Sequence, residues 1–192
     1  GEDFGGIYPF STTDPKFIEV KEKELNLEIS LLLADMLKKS GIQVQMVRQD
    51  DRTIELDQRI ESANQSNAAL IVSVHNEVHP DESKNGTRTF YYSTGNETLQ
   101  EVPGEKAAQI IQSHLVAQLG TTDLGISNNK FKILDQTDMC AVITEISYIT
   151  NDSDRQNLLN EEFRIKAAQA LHDGIIEVLN EMVATTPVVS IS

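Results

Sequence analysis

Two runs of apolar, mostly β-branched residues stand out in this chain, and each includes one ionisable residue. The first run, at residues 70–75, ends on His75, and the second, at residues 140–146, contains Glu145. Runs of this length and composition are typical of strands that are buried on both faces of a sheet. We therefore predict that the two runs are central strands, roughly parallel and near neighbours, with both ionisable residues facing one cleft.

The pattern over the rest of the chain alternates between helical and strand periods. Apolar residues at helical spacing predict helices at residues 22–40, 56–67, 105–119, 152–159 and 163–179. Shorter segments predict strands at residues 44–48, 131–134 and 87–92, the last as an outer strand. A loop is predicted at 1–16 and a turn at 123–129. This alternation favours an α/β fold, a single domain with a mostly parallel twisted sheet and helices on both faces.

Size and charge limit the organisation of the chain and its partners. The 192 residues suffice for one α/β domain, placed at residues 1–183, and residues 184–192 are predicted to be a flexible tail. The net charge of −14 argues against a nucleic-acid partner, because binding to phosphates needs clustered Lys and Arg. No run is long and apolar enough to predict a transmembrane segment. The single Cys140 excludes an intramolecular disulfide.

Three residues are candidates for chemistry, and each also has a simpler structural interpretation. His75 ends a predicted strand at the edge where open α/β sheets bind ligands, but a histidine there can also be only hydrogen-bonded. Glu145 in a buried strand needs a metal, a hydrogen-bond donor or a neighbouring Lys or Arg. Glu22 begins a predicted helix, where the helix dipole alone favours an acid, and spacing alone does not single it out from Glu19 or Glu24. On the residues alone, these alternatives stay open.

Four motifs occur in one order over nearly the whole chain, to about Leu179. They are Lys21-Glu22-Lys23-Glu24-Leu25-Asn26-Leu27, the helix positions Leu56, Arg59, Ala63 and Asn64, the strand end Ser73-Val74-His75, and Thr144-Glu145-Ile146-Ser147-Tyr148-Ile149-Thr150-Asn151. Each motif is weak alone. Together they resemble the zinc-dependent N-acetylmuramoyl-L-alanine amidases of bacterial cell-wall turnover.

This resemblance implies a reaction and a role for each candidate residue. Glu22 and His75 are implied to be ligands of a catalytic zinc ion (Zn2+), and Glu145 is implied to be the catalytic carboxylate. The implied reaction is hydrolysis of the amide bond between N-acetylmuramic acid and L-alanine in peptidoglycan. The implied location is the bacterial cell envelope or the secreted fraction.

The chain departs from the family pattern at the third zinc ligand. Members of the family have a histidine in a Gly-His-Gly-Gly turn after the first strand, and residues 1–6 resemble the segment that follows this histidine. We therefore expect the first strand and its histidine before residue 1. His79, four residues after His75, is an alternative third ligand, but its loop position beside Pro80 favours a surface role.

The chain also departs from the family pattern directly after the strand histidine. The family usually has Ala-Asn after the strand histidine, whereas this chain has Asn76 and Glu77. His114 and His172 lie on predicted helices, where we expect both to be exposed.

Two rival functions remain beside the zinc amidase. A cysteine hydrolase would use Cys140 with His75, but a small inert core residue at the start of a buried strand is the simpler interpretation of Cys140. An amidase-like pseudoenzyme would serve as a binding or regulatory module in the cell envelope. We favour the enzyme, because Glu22, His75 and Glu145 are all retained.

Overall fold

The computed structural model describes residues 7–9, 19–94 and 103–185. Its elements are β1 (Ile7–Pro9), β2 (Glu19–Lys21), α1 (Glu22–Lys39), α2 (Leu56–Asn64), β3 (Leu70–Glu77), β4 (Thr87–Tyr91), α3 (Gly104–Leu119), β5 (Asp123–Asn128), α4 (Lys132–Asp135), β6 (Cys140–Tyr148), α5 (Asp152–Leu159) and α6 (Glu161–Thr185). Within these ranges, no helix has both the length and the apolar character needed to cross a membrane. The predicted tail lies outside the described residues, apart from its first two positions at the end of α6.

The main sheet places the two apolar runs side by side. Its described strands have the order β3-β6-β4-β5, and β3 runs parallel to β6 with His75 opposite Glu145. This confirms that the two runs are parallel neighbours. The central position predicted for the first run is wrong, because β3 lies at the edge of the described sheet and, of the two, only β6 is internal. Strand β4 is antiparallel to β6 and parallel to β5, so the sheet is mostly parallel, as predicted. A separate antiparallel pair joins β1 to β2, and the loop predicted at 1–16 therefore contains a short strand.

The outer position predicted for residues 87–92 is wrong, because β4 lies between β6 and β5. Thr87 and Thr89 resemble solvent-facing positions in the sequence, yet both are fully buried. Thr87 donates a hydrogen bond to the carbonyl oxygen of Ile146 at 2.7 Å, and Thr89 donates one to the side chain of Gln112 at 2.8 Å. Polar side chains can occupy buried positions on an internal strand when their hydrogen bonds are satisfied within the protein in this way.

Three other segments differ from their predicted structures. Residues 44–48 pair with none of the described strands, and an apolar pattern forms a strand only where a partner is available. Residues 123–128 form the edge strand β5 instead of a turn, and pairing with β4 accommodates Gly125 at a φ of +71°. Residues 131–134 contribute to the one-turn helix α4, which buries Leu134 against the sheet.

Helices cover both faces of the sheet, as predicted. Helices α1, α3 and α6 pack on one face and form a single core with it. The large side chains fully buried in this core include Ile29, Ile111, Leu115, Val142, Ile146 and Leu171. On the other face, α4 packs Leu134 against Ala141 and Ile143 of β6. Because side chains alternate along a strand, Glu145 faces the same side as Ala141 and Ile143, away from the larger core.

Candidate functional site

His75 and Glu145 lie side by side near the carboxyl ends of two parallel strands. The two residues are register partners in the β3–β6 pair. Because partners on adjacent strands share a face of the sheet, both side chains lie on the same side. The carboxyl edge of parallel strands is where open α/β folds bind their ligands. The structure thus brings together two of the three residues singled out in the sequence.

Glu22 reaches His75 from the first position of α1. Its Oε1 lies 3.0 Å from Nδ1 of His75, and Nε2 of the same ring lies 3.0 Å from the hydroxyl of Ser73. An ionised carboxylate can only accept a hydrogen bond, so Nδ1 of His75 donates to Glu22, and the Ser73 hydroxyl can serve Nε2 either as donor or as acceptor. The side chains of His75 and Glu22 are 28% and 15% exposed, so a ligand can reach both.

A buried pair of asparagines fixes the orientation of Glu22. The side-chain amide of Asn26 donates to Oε1 of Glu22 at 2.9 Å, and the backbone N–H of Asn76 donates to the same oxygen at 3.3 Å. The amide of Asn76 in turn donates to Oδ1 of Asn26 at 2.8 Å. Sequence reasoning missed this role of both asparagines. The spacing of four residues between Glu22 and Asn26 on one helix face is the signal that could have found the first.

One carboxylate oxygen of Glu145 is buried with no hydrogen-bond partner among the described residues. This atom is Oε2, whereas the residue as a whole keeps partial exposure. Burial raises the pKa of Glu145 to about 8, with His75 opposing the shift and Glu77 and Glu22 adding to it. A carboxyl group with a pKa near neutrality can accept and release a proton at physiological pH, which general acid–base catalysis requires.

Glu77 and Tyr148, which the sequence pattern did not assign to the site, lie beside it as register partners. Burial raises the pKa of Glu77, and the charge of Glu22 raises it further. Burial also raises the pKa of Tyr148, and Glu77 adds to that shift. The site therefore concentrates three carboxyl groups, those of Glu22, Glu77 and Glu145, which disfavour one another's ionisation unless a cation or a proton lies among them.

The described residues supply two candidate metal ligands but not a third. Glu22 and His75 are of the types that zinc binds, and the 3.0 Å between Oε1 and Nδ1 is close to the roughly 3.3 Å expected between two ligand atoms on one tetrahedral zinc. His79 uses its Nδ1 to accept the backbone N–H of Asp81 at 3.0 Å. In the described part of the chain, no three His, Cys, Asp or Glu side chains are grouped to hold a metal. The site thus fits two of the three protein ligands of a catalytic zinc.

The geometry removes the cysteine-hydrolase alternative. Cys140 lies opposite Leu70 at the start of β6 and packs against the main core. It is five residues from Glu145, or about 17 Å along the strand at roughly 3.3 Å per residue. Cys140 therefore cannot act together with His75.

A second polar cluster consists of Ser40, His172 and Asp173. Its hydrogen-bond distances suit a nucleophile with its base, but its surroundings do not suit catalysis. Oγ of Ser40 lies 2.8 Å from Nε2 of His172, whose Nδ1 lies 2.9 Å from Oδ1 of Asp173. Ser40 caps the carboxyl end of α1, where its N–H and that of Gly41 bond to helix carbonyls. This negative helix end offers no free donors to a developing oxyanion. The cluster links α1 to α6. The side chain of His172 is 15% exposed and that of His114 is 26% exposed, so both are half-buried where we predicted exposure.

Comparison with known proteins shows the same fold in solved amidases. The family model for N-acetylmuramoyl-L-alanine amidase matches residues 1–177. The N-acetylmuramoyl-L-alanine amidase LytC of Bacillus subtilis (strain 168) is 34% identical over 155 residues, which are 81% of this chain and 30% of LytC. The N-acetylmuramoyl-L-alanine amidase of Clostridium difficile 630 aligns with a TM-score of 0.80 at 29% identity, over 93% of each chain. The catalytic domain of the amidase CwlV from Bacillus (Paenibacillus) polymyxa var. colistinus aligns with a TM-score of 0.76 at 30% identity, over 83% of this chain and 86% of that one.

The fold and these matches define a class of protein, the α/β amidase domains. More particularly, the chain belongs to the N-acetylmuramoyl-L-alanine amidase family, since the family model covers most of its length. It spans only 30% of the length of LytC.

Proposed function

We propose that the protein hydrolyses the amide bond between N-acetylmuramic acid and L-alanine in peptidoglycan, with zinc as its cofactor. The observation that supports this proposal best is the pairing of His75 with Glu145, together with the 3.0 Å approach of Glu22 to His75. LytC and the solved amidase of Clostridium difficile 630 are both N-acetylmuramoyl-L-alanine amidases, a name that refers to the same bond. A protein with this substrate acts at the cell envelope or is secreted.

Each residue of the site has a role in this proposal. Glu22 and His75 hold the zinc ion, and a third protein ligand comes from outside the described residues. When bound, zinc polarises the scissile carbonyl and favours the ionisation of water. Glu145 accepts the proton of the attacking water and passes it to the departing amine of L-alanine. Its raised pKa suits both transfers, and the Asn26–Asn76 pair keeps Glu22 oriented.

The test uses variants of the full gene product. Glu145→Gln should keep the zinc content and lower hydrolysis by about 10²–10⁴-fold, because the amide keeps the shape but cannot accept the proton. His75→Ala should lose zinc and activity together, whereas His79→Ala should keep both. Zinc affinity is measured by competition with a chelator, and hydrolysis by the release of soluble muropeptides.

Each variant can contradict its part of the proposal. Unchanged hydrolysis by Glu145→Gln would remove Glu145 from the mechanism. Tight zinc binding by His75→Ala would remove His75 from the ligand set, and loss of zinc from His79→Ala would make His79 the third ligand.

A second function, that of a binding or regulatory module, is supported by one observation. The described residues offer two candidate zinc ligands where a catalytic site needs three. A module of this kind would sediment with purified cell walls but release no muropeptides, even in excess zinc. Muropeptide release by the full gene product would exclude it.

A further inference from the structure

Arg88 is a cation on the side of the sheet that carries Glu145. It lies directly opposite Glu145 in the antiparallel register of β4 and β6, and Phe90 lies opposite Ile143 in the same pair. Side chains two residues apart on a strand share a face, so Arg88, Phe90, Ile143 and Glu145 form one surface. Register partners on antiparallel strands have Cα atoms about 4.5–5.5 Å apart. The base of the Arg88 side chain is therefore a direct neighbour of Glu145.

Arg88 has no anionic partner in the described part of the chain. Its Nε is buried without a hydrogen-bond acceptor, and none of the described carboxylates forms an ion pair with it. The guanidinium carbon lies 6.0 Å from the centroid of the Phe90 ring, which packs edge-to-face on Phe131 with 5.2 Å between centroids. A buried guanidinium N–H without an acceptor is unfavourable, so a ligand that brings an acceptor would be stabilised here.

The chemistry of Arg88 selects a carboxylate as this ligand. A guanidinium is a planar fork of donors that matches the two oxygens of a carboxylate. A carboxylate bound at Arg88 would accept a charge-assisted hydrogen bond, which is stronger than the hydrogen bond that a neutral carboxamide would accept there.

The position of Arg88 relative to Glu145 identifies which carboxylate is bound. If the scissile amide lies at Glu145, the residue that follows L-alanine is about 3.5 Å further along the peptide, within reach of a long arginine side chain. A carboxylate on this residue would match the guanidinium fork, whereas a carboxamide at the same place would lack the charge.

We propose that Arg88 binds the free carboxylate of the residue after L-alanine and gives the protein a preference for stem peptides that are not amidated there. This inference rests on the proposed function, because it places the scissile amide at Glu145. It is chemically distinct from hydrolysis, since it concerns the affinity for one substituent of the peptide.

The experiment measures binding and not cleavage. Two synthetic muramoyl dipeptides, identical except for a free carboxylate or a carboxamide on the second residue, are titrated by calorimetry into the full gene product carrying Glu145→Gln. This protein should bind the carboxylate peptide about 10- to 100-fold more tightly than the carboxamide, as expected for a charge-assisted hydrogen bond. Adding Arg88→Gln should weaken binding of the carboxylate peptide alone and abolish the preference. Adding Arg88→Lys, which keeps the charge but loses the fork, should give an intermediate preference.

Lys84→Gln, the loss of an exposed cation in the loop before β4, is the matched control and should keep the full preference. Equal affinities for the two peptides before Arg88 is changed would overturn the inference, as would no measurable binding of the carboxylate peptide. An equal loss for both peptides on adding Arg88→Gln, or an equal effect of Lys84→Gln, would also overturn it. If Arg88→Gln fails to fold by circular dichroism, the Arg88→Lys result decides. Absence of cleavage in the hydrolysis assay would reject the proposed reaction and leave this binding result interpretable.

Discussion

Replacing Glu145 by glutamine should stabilise the metal-free protein, and the stabilisation should grow with pH. Burial raises the pKa of Glu145 to about 8 in the folded chain from an ordinary value of 4.5. The folded state therefore binds this proton more tightly than the unfolded state does. The contribution of Glu145 is least unfavourable below the unfolded pKa, and stability falls as the pH rises from about 4.5 to about 8. Glutamine keeps the shape of the side chain and does not ionise, so it removes this dependence.

The size of the effect follows from the two pKa values. Their difference of about 3.5 corresponds to about 5 kcal/mol, at about 1.4 kcal/mol for each pKa unit. Proton linkage gives the variant an advantage of about 1 kcal/mol at about pH 5, about 3 kcal/mol at about pH 7 and about 5 kcal/mol at about pH 9. Because Glu145 keeps partial exposure, water lowers these values, and we expect a rise of about 2–4 kcal/mol between about pH 5 and about pH 9.

Urea unfolding followed by circular dichroism, in the presence of a chelator, measures this difference at each pH. Comparing variant with wild type cancels the titration of the other acids. Glu181→Gln, which removes an exposed carboxylate near the end of α6, is the matched control for the loss of one negative charge.

Two outcomes would refute the reasoning. A constant difference between Glu145→Gln and wild type from about pH 5 to about pH 9 would mean that folding does not shift the pKa of Glu145. An advantage of the variant that shrinks as the pH rises would mean that the folded chain favours the ionised form, as for a carboxylate held by hydrogen bonds.

Two further predictions, one on a strained glycine and one on a helix cap, can be checked by the same urea unfolding. Gly86→Ala should lower the free energy of unfolding by about 2 kcal/mol or more, because Gly86 has a φ of +113° and an added Cβ would lie 2.4 Å from the carbonyl oxygen of Thr122. Gly41→Ala, at a φ of +81° with open space around it, should cost only about 1 kcal/mol, and equal costs for the two would contradict the steric argument. Asn151→Ala should cost about 1 kcal/mol, because the side chain of Asn151 caps α5 by accepting two backbone N–H groups of its first turn, and an unchanged unfolding midpoint would contradict this role.

Periodicity alone was sufficient for the elements whose side chains pack into the larger core. The helices at 22–39, 104–119 and 161–185 carry apolar residues at helical spacing, and the strands that contain His75 and Glu145 are continuous apolar runs. The residues of a helix or strand that face the core recur with the period of that helix or strand. The local sequence is therefore enough to predict the element.

Hydrogen-bond pairing between strands determined the structure of the segments that were predicted wrongly from the sequence. Strand β4 is internal because Thr87 and Thr89 find hydrogen bonds within the protein, and β5 is a strand because β4 lies beside it. Residues 44–48 show the converse, since their strand-like pattern has no described partner. The hydrogen bonds of a strand depend on a partner strand that is distant in sequence. The local pattern of residues does not show whether such a partner is present.

The same division applies to the site. The sequence by itself, through the resemblance of its motifs to an amidase family, predicted that Glu22, His75 and Glu145 belong to one candidate centre. Only the tertiary structure showed that Glu77 and Arg88 adjoin that centre and that burial raises the pKa of Glu145. Strand register and helix docking set these distances and this desolvation. Both depend on packing between segments that are far apart in the chain, which residue types and spacing do not specify.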